Sequence, residues 1–332
     1  MATGSPGIFP KAEGNIIYAA DYNNVQGTAN FLLGTGLADS GYGQTITSGQ
    51  VDSTLKVTAA QWVDLRTDLL KIRQHQTGVD ESAGLGIASA GTLVDDAFVN
   101  NFKTFATSCN TNRLTIASNQ GTAEVLAGAG QTRDTAWNGV VSHTVTITFA
   151  SSNAARWFFN AGGEIRFSAS RTGGDTNNKN TSWTNLLSDM GTIKFGAYGT
   201  TYTGTGAAGG YPATSIGWYG LTTSYQTVFV KPAAAGVYLE NDYNIQVKKN
   251  AADNTATVLT FEIQFRDDDT GDQITGGVGT GGVDGLFDPL GAKVDEDVNT
   301  GAGATLTSTV QIFRPSGANV SLTAPTASTT TL

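Results

Sequence analysis

The sequence predicts an α+β fold, mainly β: a small N-terminal helical module followed by an antiparallel β-sandwich-like domain with long Gly-rich loops. Three observations predict it. Helical periodicity is confined almost wholly to the first 115 residues, while from Val141 onward apolar and polar side chains alternate with period two. Of the 28 acidic residues 21 are Asp and 7 are Glu, so the acid of turns and caps outnumbers the acid of helix interiors. Finally, the 332 residues include 42 glycines and only 14% charged residues, against roughly 25% in a typical globular chain. The expected division is residues 1–115, a helical docking and oligomerisation module, and 116–332, a β-rich domain with an extended C-terminal tail.

Three helices are expected in order. The first is capped by Asp21, runs from Tyr22 to Leu33 and is closed by Gly34. The second opens on Thr58-Ala-Ala-Gln61, a capping box in which each side chain satisfies an orphan amide of the first turn. Trp62, Leu65, Leu69 and Ile72 then recur at three- and four-residue spacing, and Gly78 stops the helix. The third, about Asp95 to Cys109, sets Phe98, Phe102, Phe105 and Cys109 on one side. Helices this short bury one stripe, so Trp62, Leu65, Leu69, Ile72, Phe98, Phe102 and Phe105 are expected at an interface between helices or between subunits. Residues 34–49 between the first two helices, with five glycines, are expected to be an ordered loop because Tyr42 and Ile46 give it something to bury.

Strands are expected at Val141–Phe149, Thr192–Tyr198, Thr227–Val230, Tyr243–Lys249, Thr257–Arg266 and Thr305–Phe313. Ala155–Asn160 and Glu164–Ser170 read as a hairpin turning at Ala161-Gly-Gly163, and Trp183–Met190 as a short helix. Two Gly-rich stretches, Thr200–Tyr211 and Gly276–Gly285, read as long loops. The tail, Leu322–Leu332, is too polar to fold alone and is expected to be held by a partner chain.

No reaction is legible. Nucleophile elbows, phosphate loops and HExxH zinc signatures are all missing, so no catalytic residues and no enzyme are expected. A net charge of −9 argues against wrapping nucleic acid, no run is long and apolar enough to span a membrane, and the single cysteine excludes an intrachain disulfide. No cofactor is expected; calcium is the one candidate, through Asp267, Asp269 and Asp272, although position twelve of an EF-hand would fall on Val278 and a charged loop is the simpler reading. His143 reads as a satisfied core or interface histidine, His75 as a helix-terminal residue suited to the dipole, and Cys109 as a buried inert thiol. Tyr211, Trp218 and Tyr219 lie among aromatics around the first Gly-rich loop; they could stack on sugar faces, or fill a core.

The strings Tyr22-Asn-Asn-Val-Gln, LLGTG (32–36), GYGQTITSG (41–49) and VTAAQWVDLRTDLLKIRQHQTG (57–78) resemble the openings of virion structural proteins of T4-like tailed phages infecting cyanobacteria. The resemblance covers roughly residues 14–80. It implies a tail, neck or fibre component, made in the host cytoplasm and resident in the virion. The implied partners are itself, as a homo-trimer, and other virion proteins. The alternative is a carbohydrate-binding adhesin that reads a host surface polysaccharide through the β domain.

Overall fold

The computed structural model describes residues 17–89, 91–204, 215–234, 238–268 and 297–332. Among them are five α-helices and two antiparallel sheets that together hold eleven strands, an α+β architecture that is mainly β. The chain forms two compact units. The first comprises Met1–Glu124, Phe149–Glu164 and Phe313–Ala324; the second comprises Val125–Thr148, Ile165–Ile312 and Pro325–Leu332. Both are discontinuous, so a single cut near residue 115 does not describe them.

The first unit is built on helices α1 (Ala19–Leu33), α2 (Ala59–Thr77) and α3 (Asp96–Thr111). Asp21 sits in the first turn of α1, where its carboxylate accepts from Tyr18 N at 2.9 Å, so the helix begins earlier than the sequence suggests. The expected box closes α2: Thr58 N donates to Gln61 Oε1 at 2.8 Å, Gln61 N donates to Thr58 Oγ1 at 3.3 Å, and Gly78 ends the helix left-handed at φ 77°. Asp95 caps α3 by accepting from Phe98 N at 2.8 Å.

Helix α4 (Ser152–Asn160) replaces the first strand of the expected hairpin. Ser151 caps it, and Ala155, Phe158 and Phe159 fall at helical spacing on its buried face. That three- and four-residue recurrence outweighed the alternation read from the sequence.

Two sheets stack, most of their strands in the second unit, although most of β1 and the end of β10 belong to the first. One has the order β1(Gly121–Val125)-β10(Thr305–Pro315)-β4(Glu164–Thr172)-β5(Ile193–Phe195)-β6(Thr200–Tyr202), with β2 (Gln131–Arg133) also on β10. The other runs β11(Thr326–Thr329)-β3(Gly139–Thr148)-β9(Val258–Asp267)-β8(Asp242–Lys249)-β7(Gln226–Pro232). Period two sends Val141, His143, Val145 and Ile147 of β3 inward, and Leu259, Phe261, Ile263, Phe265 and Asp267 of β9 beside them. Across the sandwich Phe261 meets Phe167 at 4.9 Å and Phe195 at 5.4 Å, while Tyr202 meets Phe229 at 5.7 Å. Helix α5 (Asn178–Met190) covers an edge of this core with buried Trp183, Leu186 and Leu187.

The tail corrects an expectation. Its strand β11 pairs with β3 of the same chain, Thr326 opposite Thr148 through Thr329 opposite Val145. Backbone hydrogen bonds to an open edge hold a segment with too little apolar content to fold alone. Thr200–Tyr202, expected within a loop, is likewise a short strand; residues 205–214 and the Gly276–Gly285 stretch lie outside the described residues.

Candidate functional site

The sequence strings that carry the virion resemblance meet one another inside the first unit. Tyr22 of α1 donates its hydroxyl to the Gln61 carbonyl at 3.1 Å, and Asn23 brackets Val51 with two bonds of 2.8 Å, one given and one received. The 34–49 loop runs back along the end of α1, with Tyr42 N on Leu32 O, Gly43 N on Gly34 O and Gln44 N on Leu33 O, all at 2.9 Å. From α2, the buried Asp68 carboxylate accepts from Thr47 N at 2.9 Å and Ser48 N at 2.7 Å. Tyr42 is fully buried; it donates to the Arg113 carbonyl at 2.7 Å and accepts from Gln76 Nε2 at 3.0 Å, with its ring 5.0 Å from that of His75. Burial pushes the phenol well above its ordinary pKa, so Tyr42 is a neutral tether.

Charged groups clamp the loop from the other side. Arg156 of α4 donates to Ser40 O at 2.6 Å and Thr35 O at 2.5 Å, Asn160 donates to Ser40 O at 2.9 Å, and Arg113 pairs with Asp39 at 2.6 Å. Gly43 has φ 69°, and a Cβ there would stand 2.3 Å from the Trp157 ring, so only glycine fits. The loop is thus fixed at both flanks, yet Leu37 at its tip is 72% exposed. Most of its bonds tie side chains of α2 and α4 to loop carbonyls and amides, and the Arg113–Asp39 pair adds a charged tether.

Other expected site residues fall differently. Trp62, Leu65, Leu69, Ile72 and Phe102 are buried, and Phe98 and Phe105 half-buried, all in the first unit's own core. Trp62 is ringed by Tyr22, Phe98 and Phe102 at 5.1, 5.2 and 4.9 Å. The stripes therefore cover each other within one chain and need no neighbouring subunit.

Asp267 is already engaged by a lysine and not open in a loop. It is the last inward residue of β9 and ion-pairs with Lys179 at 2.8 Å, both side chains fully buried; Asp269 and Asp272 lie outside the described residues. Among the described residues no group of three or more His, Cys, Asp or Glu is placed to hold a metal. Trp218 is buried beneath Lys249, whose Nζ lies 4.9 Å from its ring, so it offers no face to a sugar. Tyr219 stacks on Tyr198 at 5.1 Å, and Tyr198 is 48% exposed; Tyr211 lies outside the described residues.

His143 is a core histidine, with Nδ1 2.9 Å from Ser308 Oγ and its pKa lowered to about 4 by burial. His75 is also buried, its Nε2 donating to the Ala161 carbonyl at 2.9 Å, and desolvation lowers it to about 4. It is therefore neutral, and the charge–dipole role expected for it fails. The Cys109 thiol is buried and raised to about 12.

No protein-family model matches the chain, and neither a curated protein nor a solved structure matches it significantly. Sequence reasoning missed Asp68, Arg156 and Asn160. A carboxylate between Thr67 and Leu69 on a mostly solvated helix looks like surface charge, and Arg156 sat in a presumed strand. The available signal was the spacing of four to Asn160, which puts both donors on one helical face.

Proposed function

We propose that the protein is a structural component of a tailed-phage virion, a tail, neck or fibre part that works by docking and not by catalysis. One observation carries the reading: the four strings that resemble virion proteins interlock by hydrogen bonds into one rigid module, with Tyr42, Asp68 and Gln76 as its tethers. A motif whose polar residues all serve to fix a loop marks a binding surface. The exposed apolar residues Leu37 and Ile87 are the contacts offered to other virion proteins. Leu37→Asp and Ile87→Asp should leave the far-ultraviolet circular dichroism unchanged and keep the protein out of purified particles, read by immunogold electron microscopy. Normal incorporation of both variants would sink the docking role.

A second reading, an adhesin for host polysaccharide, is favoured by the Tyr198–Tyr219 stack alone. A stack whose outer ring, Tyr198, is exposed offers an apolar platform to a sugar ring. On a glycan array, binding that Tyr198→Ala abolishes would support it, and a blank array would remove it.

A further inference from the structure

The second unit contains an open cleft of about 250 Å³ whose lining includes Arg171, Gly174, Asp175, Asn180, Thr184 and Asn185. Arg171, on β4, is only 6% exposed. Its guanidinium is held by one long contact, Nη1 to Thr184 Oγ1 at 3.5 Å, while Nε and Nη2 are buried with no hydrogen-bond partner. Those two nitrogens share one edge of the planar group, the edge that grips a carboxylate with two parallel bonds. Gly174 adjoins it: at φ 78°, a Cβ there would stand 2.9 Å from Nη2, so any side chain would press on the guanidinium.

The rest of the lining selects the ligand. Asp175 is exposed at the rim, and its charge pulls Arg171 upward against the desolvation that lowers it. With one positive and one negative group the cleft has no surplus positive charge to hold a phosphate dianion, so a single carboxylate paired with Arg171 is the better match. Asp175, Thr184 and Asn185 supply acceptors and donors of the kind that read hydroxyl groups. We propose that this cleft binds a uronic acid, its carboxylate in the Arg171 fork and its hydroxyls on the Asp175 rim. The guanidinium turns toward the cleft on binding, exchanging the weak Thr184 contact for two charge-assisted bonds. The site lies apart from the Tyr198–Tyr219 platform in residues and in chemistry, and stands whether or not the protein is a virion part.

The test is a titration of the full chain, by calorimetry and by amide NMR shifts, with D-galacturonate and with D-galactose. Galacturonate should bind and shift the Gly173, Gly174 and Asp175 amides, and galactose should bind at least roughly tenfold more weakly. Arg171→Met should abolish galacturonate binding while leaving the melting temperature unchanged or higher, because a buried charge without partners is removed. Arg171→Lys, which keeps the charge but lacks the fork, should weaken binding roughly tenfold or more. Equal binding of the two sugars, no binding of either, or full galacturonate binding by Arg171→Met overturns the proposal. A large drop in melting temperature for Arg171→Met would also overturn it, since the arginine would then be a structural group.

Discussion

At Asp68 a single buried carboxylate takes two backbone amides of the 34–49 loop. Asp68→Ala leaves both donors unmet and should lower stability by about 2 kcal/mol, seen as a lower urea midpoint and as faster exchange of the Thr47 and Ser48 amides. The buried histidines set the response to acid. With His75 and His143 lowered to about 4 from 6.5, the unfolded chain takes up protons below pH 6.5 that the folded chain refuses. Their contribution is complete above pH 6.5 and is lost as pH falls toward 4, at most about 1.4 kcal/mol per pH unit for each. Asp242 opposes them: burial raises it to about 6, so between pH 6 and 3.8 the folded chain holds a proton that the unfolded chain does not. Urea midpoints measured at pH 7, 5.5 and 4.5 should fall, less steeply in His143→Gln and more steeply in Asp242→Asn.

Elements whose pattern is local were readable in the sequence. The Thr58–Gln61 box with Gly78 fixed both ends of α2, and strict alternation fixed β3 and β9, because those signals depend only on neighbours a few residues away. Strand β11 was not readable: TAST has no apolar face, and its order comes from the edge of β3, nearly two hundred residues distant in sequence. Asp267 was misread for a related reason. It ends an inward-facing series in β9, but it also opens an acidic run, and only its contact with Lys179 decides between the two. The site shows the same limit, since the tethers of the 34–49 loop come from α2 and α4 and depend on tertiary approach. Removing residues 326–332 should lower the melting temperature by ~3–6 °C and cause self-association through the bared β3 edge, visible as a mass increase in light scattering.

For the whole molecule, the covered helical stripes remove the main reason for supposing that copies must associate through them. A homo-trimer, three copies of 34.4 kDa or about 103 kDa, would have to form through surfaces such as those around Leu37 and Ile87. Light scattering of the wild type and of Leu37→Asp distinguishes the cases. A trimer that the substitution dissociates places self-assembly on that loop, and a wild-type monomer at 34.4 kDa removes self-assembly as its role.

The first unit takes its last piece from Phe313–Ala324, with Val320 fully buried in the helical core and Asn319 bonded to Gln74 at 2.7 Å. A growing chain therefore cannot finish this unit when its three long helices have left the ribosome; it must wait for some two hundred further residues. Protein made incompletely would carry an open core and an unfixed module. Only a chain translated past residue 320 can close this core, so the unit's folding waits on a segment made long after its helices.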